Sequence, residues 1–327
     1  MTALPQMNVL FIVYPDIVLL DLVGPLQVFT HARRSASSPN AYQAHIASCE
    51  GGSIGTNTIL QIDSDPLSQW TEADRPIHTL VVIGGDGAAP AAQNKALVDQ
   101  VKSLAAQATR VCSVCSGALI LAAAGVLDGR RAVTHWEDCE ALASQHPAVS
   151  VEVDPIYIKD GAVWTSAGIT AGIDMSLAII EEDLGKAAAI AMARSLVAPM
   201  VRSGGQSQFS ADLDRQARDG AGRFATLHEW IASNLSRRIS VEAMAQECGM
   251  SPRNFSRRYS EVMGVPPARS VEAIRVDAAR DLLAATDRPV KVIAAMCGFQ
   301  DVERMRRSFL RTVSTSPTDY RRQFRAG

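Results

Sequence analysis

A cysteine at a predicted strand-to-helix turn is the first side chain in this sequence with the potential for covalent chemistry. The segment Arg110–Ala118 consists of an apolar strand pattern, a turn at Cys115 and the start of an apolar helix. This arrangement is typical of a nucleophile elbow, which exposes the turn residue at the edge of a sheet. The N–H groups and dipole at the start of the helix favour a thiolate at Cys115. The alternative is a small apolar residue packed at a tight turn.

Three further residues are predicted to lie near this cysteine. Asp21 and Gly85 each occur where a strand pattern gives way to a helix, and His135 follows a short strand twenty residues after Cys115. The carboxyl ends of parallel strands meet at one edge of a sheet, where ligands bind. We therefore predict a ligand-binding site formed by Asp21, Gly85, Cys115 and His135. The alternatives are a helix-capping role for Asp21 and a structural role for His135.

The cysteine pattern predicts neither a metal site nor a disulfide. The six cysteines show no close-spaced framework, and the C-x-x-C of Cys112 and Cys115 lacks a second pair or a histidine cluster. Cys112 falls inside a predicted buried strand and is expected to be inert. The apolar stretch Val9–Val28 is interrupted by charged residues and prolines, so we expect neither a signal peptide nor a membrane span. A reducing cytoplasm is the expected compartment.

Alternating apolar strands and helices predict the framework that positions these groups. We expect an α/β fold, with a mostly parallel sheet covered by helices on both faces. The predicted strands are Asn8–Tyr14, Ala41–Ser48, Thr79–Ile83, Arg110–Val114, Arg131–Thr134, Val149–Asp154 and Val163–Ser166. The predicted helices are Gly24–Arg33, with Pro25 in its first turn, Ala91–Gln107, Ser116–Ala124, Gly172–Asp183 and Lys186–Leu196.

The distribution of charge separates this framework from the rest of the chain. Residues 1–219 contain 14 Lys and Arg against 23 Asp and Glu, a net charge of −9. Residues 220–327 contain 18 against 11, a net charge of +7. Every basic residue of the second part except Lys291 is an arginine, which binds phosphate and guanine through two parallel hydrogen bonds. Nucleic-acid binding by the second part alone is therefore expected.

A glycine- and serine-rich polar stretch, Arg202–Gly222, is the predicted boundary between the two parts. We expect a first domain at residues 1–205, a linker at 206–222 and a second domain at 223–327. The second domain is expected to be helical throughout, with a helix at Leu227–Leu235 and a long one at about Pro267–Leu283.

Two helix-turn-helix units with arginine-rich second helices are predicted in this second domain. In the first unit, an apolar helix ends at a turn formed by Gly249, and Ser251 and Pro252 start the second helix. Phe255 and Tyr259 are four residues apart and are expected to face the core. The predicted DNA-contacting residues on the opposite face are Arg253, Ser256 and Arg257.

The second unit repeats this plan. Pro289 is expected in the first turn of a short apolar helix, Gly298 forms the turn, and Asp301 caps the second helix. Met305 and Phe309 are expected to face the core. The predicted DNA-contacting residues are Val302, Glu303, Arg304 and Arg307. Arginine pairs with guanine, glutamate accepts from cytosine, and valine contacts the thymine methyl group.

The duplicated turn indicates one chain that contacts two adjacent segments of the major groove. The two turn glycines lie 49 residues apart, which leaves room for a connecting helix. A separation of about 34 Å would place both second helices in successive grooves on one side of the duplex. Arg275, Arg280 and Arg288 are expected to be solvent-exposed or to pair with Asp277 and Asp281.

The segment from about Phe224 to Phe324 resembles the AraC-type DNA-binding domain. The resemblance is carried by Ile293-Ala294, Gly298-Phe299, Phe309, Ser316-Pro317 and Tyr320-Arg321. Met305 stands where an aromatic residue or leucine is more usual, and methionine fills irregular core space well. The resemblance implies binding to specific sequences of double-stranded DNA and a contact with RNA polymerase.

Residues Asn8–Val201 resemble the PfpI/ThiJ, or amidotransferase-like, superfamily, which implies a flavodoxin-like parallel-sheet sandwich. The predicted site residues Asp21, Gly85, Cys115 and His135 fall on its pocket positions. The isonitrile-hydratase variant, with its aspartate and cysteine, is the most similar. Protease and amidotransferase members have a histidine directly after the cysteine. That position is Ser116 here, so His135 would have to take the place of that histidine in a hydrolytic triad.

Joined in this order, the two parts resemble the GlxA-type branch of AraC-family regulators. The segments Thr165–Gly168, Gly172–Asp174 and Arg202–Gln206 match that branch. The resemblance implies a transcription factor, an activator rather than an enzyme, whose first domain forms a homodimer and binds a small nitrogen-containing metabolite. No cofactor, metal or membrane partner is expected. Two alternatives stay open: a cysteine-dependent hydratase or hydrolase, and a thiol sensor switched by oxidation of Cys115.

Overall fold

The computed structural model describes residues 7–32, 41–71, 75–198, 206, 224–313 and 315–325. The chain divides into two compact units, Met1–Arg202 and Ser203–Gly327. The predicted linker, Arg202–Gly222, lies outside the described residues except for Gln206. In the described part of the chain, no helix has both the length and the apolar character needed to cross a membrane.

The first unit is built on an eight-stranded sheet. The strands of the unit are β1 (Met7–Ile12), β2 (Tyr42–Ser48), β3 (Gly52–Gly55), β4 (Gln61–Pro66), β5 (Thr79–Val82), β6 (Arg110–Val114), β7 (Arg131–Ala132), β8 (Ser150–Val151), β9 (Tyr157–Asp160) and β10 (Val163–Ser166). The sheet order is β3-β4-β2-β1-β5-β6-β10-β9, and β7 and β8 form a separate parallel pair. Neighbours in the sheet are parallel except at its two edges, β3–β4 and β9–β10.

Two groups of helices pack beside this sheet. The helices are α1 (Leu19–His31), α2 (Ser68–Thr71), α3 (Ala88–Gln93), α4 (Lys95–Gln107), α5 (Gly117–Ala123), a 3-10 turn (Trp136–Asp138), α6 (Cys139–Gln145), α7 (Ala171–Leu184) and α8 (Lys186–Ser195). Helices α1 and α8 both contact α7, and α3, α4 and α5 contact one another as the second group. Every residue of β5, β6 and β10 is buried, which is expected when helices cover both faces of a sheet. The predicted α/β fold with a mostly parallel sheet is confirmed.

The first helix begins earlier than predicted. It starts at Leu19 instead of Gly24, so Pro25 lies inside the helix and not in its first turn. The side chain of Asn57 accepts a hydrogen bond from the Leu19 N–H at 3.0 Å, which satisfies one of the free donors at the helix start. The start of α1 is therefore set by a contact from the loop between β3 and β4, which the local pattern does not reveal.

The predicted helix Ala91–Gln107 is two helices, α3 and α4, separated at Asn94. The Asn94 side chain caps α4 by accepting the N–H groups of Ala96 at 3.1 Å and Leu97 at 3.3 Å. Asparagine favours this capping geometry over a continuous helix. The single-helix prediction is therefore wrong.

Short polar elements were missed by the sequence prediction. Strand β4 reads Gln-Ile-Asp-Ser-Asp-Pro. Its residues alternate between exposed and partly exposed, so it lacks the apolar run of a buried strand. Strands β3 and β9 are four residues long and lie at the edges of the sheet. The predicted strands Arg131–Thr134 and Val149–Asp154 are reduced to the two-residue strands β7 and β8.

The second unit is helical throughout its described residues. Its helices are α9 (Ala225–Ser233), α10 (Val241–Glu247), α11 (Pro252–Met263), α12 (Pro267–Ala285), α13 (Val290–Met296), α14 (Val302–Val313) and α15 (Pro317–Arg325). Helices α10 and α11 form the first helix-turn-helix and α13 and α14 the second. The four side chains predicted to face the cores are all fully buried, as expected: Phe255, Tyr259, Met305 and Phe309.

The two turns have the predicted backbone. Gly249 and Gly298 have φ of +60° and +73°, the left-handed region that favours glycine. Ser251 occupies the cap position before Pro252 without a side-chain hydrogen bond, whereas Asp301 Oδ1 accepts the N–H of Arg304 at 2.7 Å. Pro289 is extended and precedes α13 instead of lying in its first turn, as its ψ of 140° shows.

Arg280 on the connecting helix α12 and Arg288 after it can be compared with the prediction for these arginines. Arg280 is 1% exposed, and its Nε donates to the Tyr320 hydroxyl at 3.1 Å, while Nη1 lies 3.4 Å from Asp277 Oδ1. The predicted alternative of pairing with Asp277 is therefore confirmed, and the Arg280 side chain is buried instead of solvent-exposed. Arg288 is exposed, as expected.

Candidate functional site

The backbone at Cys115 turns sharply where β6 meets α5. Its φ is +55°, an unfavourable left-handed conformation for a residue with a side chain. The Cys115 N–H donates to the Ser166 carbonyl at 3.0 Å, and its own carbonyl accepts the Thr134 hydroxyl at 2.9 Å. The residues that follow β7 and end β10 therefore hold this turn in place.

Two glycines make room for the cysteine. A Cβ placed on Gly168 would lie 2.3 Å from the Cys115 Cβ, and one on Gly84 would lie 2.6 Å from it. Each of these glycines follows the carboxyl end of a strand, β10 and β5 respectively. The predicted convergence of strand ends at one sheet edge is therefore present around Cys115.

Asp21 does not cap its helix. It lies in the first turn of α1, where Val18 holds the cap position without a side-chain hydrogen bond. The Asp21 side chain is fully buried, and its Oδ1 accepts the N–H of Ile169 in the loop after β10. Its Oδ2 is buried, and the weak Cys115 thiol is the one nearby donor that acts on it among the described residues. Burial raises the pKa of Asp21 to about 6, against the opposing effects of the Ile169 N–H and the Cys115 thiol.

The thiol of Cys115 is protonated at neutral pH, contrary to the predicted thiolate. Burial raises its pKa well above the usual range, and the nearby Asp21 charge raises it further. The Ser116 N–H at the helix start acts in the opposite direction, as expected, but it is outweighed. Burial also raises the pKa of Cys112 to about 12, which agrees with the inert role expected for it.

The backbone N–H of Gly85 is already used within the protein. It donates to the Ser116 hydroxyl at 2.9 Å, and the same hydroxyl lies 3.1 Å from the Gly85 carbonyl. A Cβ on Gly85 would lie 2.4 Å from the Asp16 carbonyl, so glycine is needed for this close approach. Gly85 thus shapes the sheet edge, and its predicted contact with a ligand remains a prediction.

His135 lies near the site without joining its centre. Its side chain is 24% exposed, with Nδ1 3.5 Å from Glu137 Oε2, and its ring is tilted against Trp136 at 5.6 Å. The neighbouring Thr134, and not His135, bonds to the Cys115 backbone. The charges that act on the Cys115 thiol are those of Asp21 and Asp138.

Three residues at this edge were missed by the sequence prediction. Tyr14 donates to the Ile83 carbonyl at 2.7 Å, and its pKa is raised by burial and then by the charges of Cys115 and Asp21. Asp138 acts on both Tyr14 and Cys115. The third is Ile169, the hydrogen-bond donor to Asp21. Tyr14 follows the end of β1 and was open to the same strand-end argument that selected Cys115.

Backbone strain is concentrated at the same edge. Among the described residues, four non-glycine residues have a left-handed φ: Asp16, Cys115, Ile169 and Val197. The first three lie in loops that meet around Asp21 and Cys115 through the contacts given above. Strain of this kind persists where the surrounding structure over-determines the backbone, and it is common at functional sites.

This arrangement suits ligand binding better than nucleophilic catalysis. It brings together a buried carboxyl, a neutral thiol and a phenol. These three groups, Asp21, Cys115 and Tyr14, lie close enough to affect one another's pKa. A nucleophilic cysteine needs a thiolate, and burial opposes one here. Among the described residues, no group of three or more His, Cys, Asp or Glu side chains could hold a metal ion.

The second candidate surface is the outer face of the two arginine-rich helices. On α11, Arg253 and Arg257 are exposed and Ser256 is partly exposed. On α14, the four predicted DNA-contacting residues are all exposed: Val302, Glu303, Arg304 and Arg307. The outward orientation predicted for these side chains is therefore confirmed, while their contact with DNA remains a prediction.

Some of these side chains are paired within their own helices. Arg257 Nη1 lies 2.8 Å from Glu261 Oε1. Glu303 accepts two hydrogen bonds from Arg306, at 2.8 and 2.9 Å, and lies 3.9 Å from Arg307 Nε. Glu303 would have to give up part of this pairing to accept a hydrogen bond from cytosine.

Comparison with known proteins finds a matching family model for each of the two units. Residues 7–182 match the DJ-1/PfpI family, and residues 244–323 match a helix-turn-helix domain. The HTH-type transcriptional regulator Rv1931c of Mycobacterium tuberculosis is 33% identical over 76% of this chain and 96% of its own length. The regulator GlxA of Rhizobium meliloti is 26% identical over 96% of this chain and 95% of its own. An isonitrile hydratase of Pseudomonas putida is 35% identical, over 54% of this chain and 71% of its own.

The chain therefore belongs to the DJ-1/PfpI family, among the HTH-type transcriptional regulators that carry an AraC-type helix-turn-helix domain after it. The expected resemblance to the GlxA-type branch is confirmed. The isonitrile hydratase covers only the first unit.

Replacing Asp21 by asparagine should stabilise the protein at neutral pH. The folded protein holds the Asp21 proton up to about pH 6, whereas the unfolded chain releases it near the usual pKa of 3.8. Stability from this group is thus present below the lower pKa and lost as pH rises through the higher one. The difference corresponds to about 3 kcal/mol.

Chemical denaturation at several pH values tests this expectation. Asp21→Asn should exceed the wild type in stability at about pH 7.5, and the gap should close toward about pH 4. Asp16→Asn, at an exposed carboxyl with a φ of +61° that asparagine tolerates, is the matched control and should show no such gap. An Asp21→Asn variant that is less stable than the wild type at neutral pH would contradict the buried, costly charge.

Proposed function

We propose that this regulator reads two adjacent segments of the DNA major groove with the outer faces of α11 and α14. The observation that carries the proposal is that both helices bury apolar side chains on one face and expose arginines on the other. The second part of the chain also holds the positive charge, +7 against −9 for the rest. A basic helix after a tight turn is the geometry with which such units enter the groove.

The readers in this proposal are those predicted from the sequence: Arg253, Ser256, Arg257, Val302, Glu303, Arg304 and Arg307. Arginine is suited to guanine, glutamate to cytosine and valine to the thymine methyl group. The remaining arginines of the unit supply phosphate contacts, which add affinity without sequence preference.

We also propose that the first unit binds a small effector at Asp21 and Cys115. A buried carboxylate oxygen with only a weak thiol donor beside it is costly, and a ligand N–H or ammonium group would supply a stronger donor. This chemistry supports the expected nitrogen-containing metabolite. Gly85 and His135 remain proposed lining residues of the same site.

The proposed assembly is a homodimer that activates transcription. Homodimerisation through the first unit would double the DNA contacts and raise their effective concentration. The regulator would act as an activator that contacts RNA polymerase, in the cytoplasm where its DNA target lies. The first unit would act as a sensor and not as an enzyme, because burial keeps the Cys115 thiol neutral and the His135 ring lies beside Glu137.

Loss of either reading arginine should weaken operator binding. Arg257→Ala and Arg307→Ala should each reduce affinity for the selected operator by about tenfold, and should relax the preference at one base position. Fluorescence anisotropy with operator and single-base variants measures both effects. The control is Arg322→Ala, an exposed arginine paired with Asp319 on α15, which should lower affinity for all sequences alike. Unchanged affinity in both test variants would show that the assigned readers are wrong.

An effector that binds the first unit should raise its melting temperature. A thermal-shift screen of amines, amino acids and betaines on the full chain is expected to yield a stabilising compound. The shift should be reduced in Asp21→Asn, which cannot supply a charged acceptor, and retained in Asp16→Asn. A compound whose shift is equal in all three proteins binds somewhere other than the proposed site.

The favoured alternative activity is hydration of isonitriles, because the similar hydratase covers the unit that contains Asp21 and Cys115. We expect no product when the full chain is incubated with alkyl or aryl isonitriles, since the thiolate is disfavoured. Product formation that disappears in Cys115→Ser would establish the enzyme instead. The thiol-sensor alternative requires that mild peroxide changes operator affinity, and the raised pKa of Cys115 predicts no change.

A further inference from the structure

The two helix-turn-helix halves of the second unit have separate apolar cores. In the described part of the unit, the cores are joined only by α12, which places Val271 in the first core and Val276, Ala279 and Leu283 in the second. Apolar packing alone therefore leaves the angle between the halves to the stiffness of one helix. Another interaction is needed to fix it.

Arg275 lies on α12 between these two groups of residues. Its Nη2 donates to the carbonyls of Leu235 at 3.2 Å and Arg237 at 2.7 Å, in the segment that links α9 to α10. These are contacts to the backbone of the first half. They differ from the solvent exposure or pairing with Asp277 and Asp281 expected from the sequence.

The turn of the second half meets two of these groups, the Leu235 carbonyl and the Arg275 guanidinium. A Cβ on Gly298 would lie 1.8 Å from the Leu235 carbonyl oxygen and 2.8 Å from Arg275 Nη2. Gly298 is thus required twice, by its φ of +73° and by this close contact between the halves. We call the contact between Leu235, Arg275 and Gly298 the joint.

The joint is close to α14, the second of the two helices proposed to read DNA. The Arg304 charge on α14 contributes to the lowered pKa of Arg275, after the larger effect of burial. One turn earlier on α12, Glu272 accepts the Ser308 hydroxyl at 2.6 Å and pairs with Arg311, both on α14. Helix α12 therefore holds both the turn of the second half and the helix that follows it.

We propose that Arg275, acting through the joint, is a positioning residue that fixes the two reading helices relative to each other and so sets the spacing of the two DNA segments the regulator accepts. This inference rests on the proposed function, since it requires that both helices read DNA. A guanidinium suits the task because Nη2 carries two N–H donors held in a rigid plane, so this one nitrogen binds both carbonyls. Rigid coupling raises the effective concentration of the second helix at the correct spacing only.

The test measures how strongly affinity depends on spacing. A preferred site is selected from random DNA with the full-length protein, and one base pair is then inserted or removed between its two segments. Each change rotates one segment by about 34° relative to the other. We expect the wild type to lose at least about tenfold in affinity and Arg275→Ala to lose less than about threefold. Arg275→Lys, which keeps the charge and one donor group, should restore part of the spacing dependence.

The control is again Arg322→Ala, which removes the same charge away from the joint. It should keep the wild-type spacing dependence while binding all sites more weakly. Circular dichroism identifies any variant that has lost its helices, and Arg275→Lys carries the test if Arg275→Ala fails to fold.

The two ways of failing are distinguishable. A wild type that is indifferent to spacing would overturn the proposed reading of two segments, and the positioning role with it. A wild type that depends on spacing, together with Arg275 variants that depend on it equally, would overturn the positioning role alone.

Discussion

The left-handed backbone at Cys115 is the constraint on which the rest of the sheet-edge site depends. Gly84 and Gly168 leave no space for side chains on either side of it. Its N–H donates to the Ser166 carbonyl and its own carbonyl accepts the Thr134 hydroxyl, so both of its peptide groups are held. Because parallel strands end at a common edge, one strained turn brings together residues from the ends of β1, β5, β6 and β10. A different backbone at this turn would move the thiol away from Asp21.

The site keeps an unfavourable group in a buried position. The buried Asp21 carboxylate reduces stability at neutral pH, and the neutral thiol of Cys115 does not supply a ready nucleophile. The same burial that suppresses the thiolate strengthens any hydrogen bond that a ligand makes to the carboxylate. One physical cause, desolvation, therefore argues both against catalysis by Cys115 and for recognition of a donor group.

The second unit consists of two small helical halves that must be held rigidly relative to each other. Each half has an apolar core of its own. Buried aromatic residues of α11 and α14 anchor these cores, Phe255 and Phe309 among them. Small cores of this size do not merge across the connecting helix. Polar contacts of Arg275 and Glu272 with elements on both sides take over the coupling that a shared core would provide.

Residue patterns along the chain were enough to predict the α/β fold class, the central strands and helices in chain order, the two helix-turn-helix units and the buried and exposed faces of their second helices. These features follow from local periodicity, turn glycines and charge, which are properties of neighbouring residues. The tertiary structure alone decided the start of α1 at Leu19, the protonation of Cys115, the partner of Asp21 and the contacts of Arg275. The physical reason is that burial and long-range contacts set pKa values and hydrogen-bond partners, and neither is encoded in the spacing of residues along the chain.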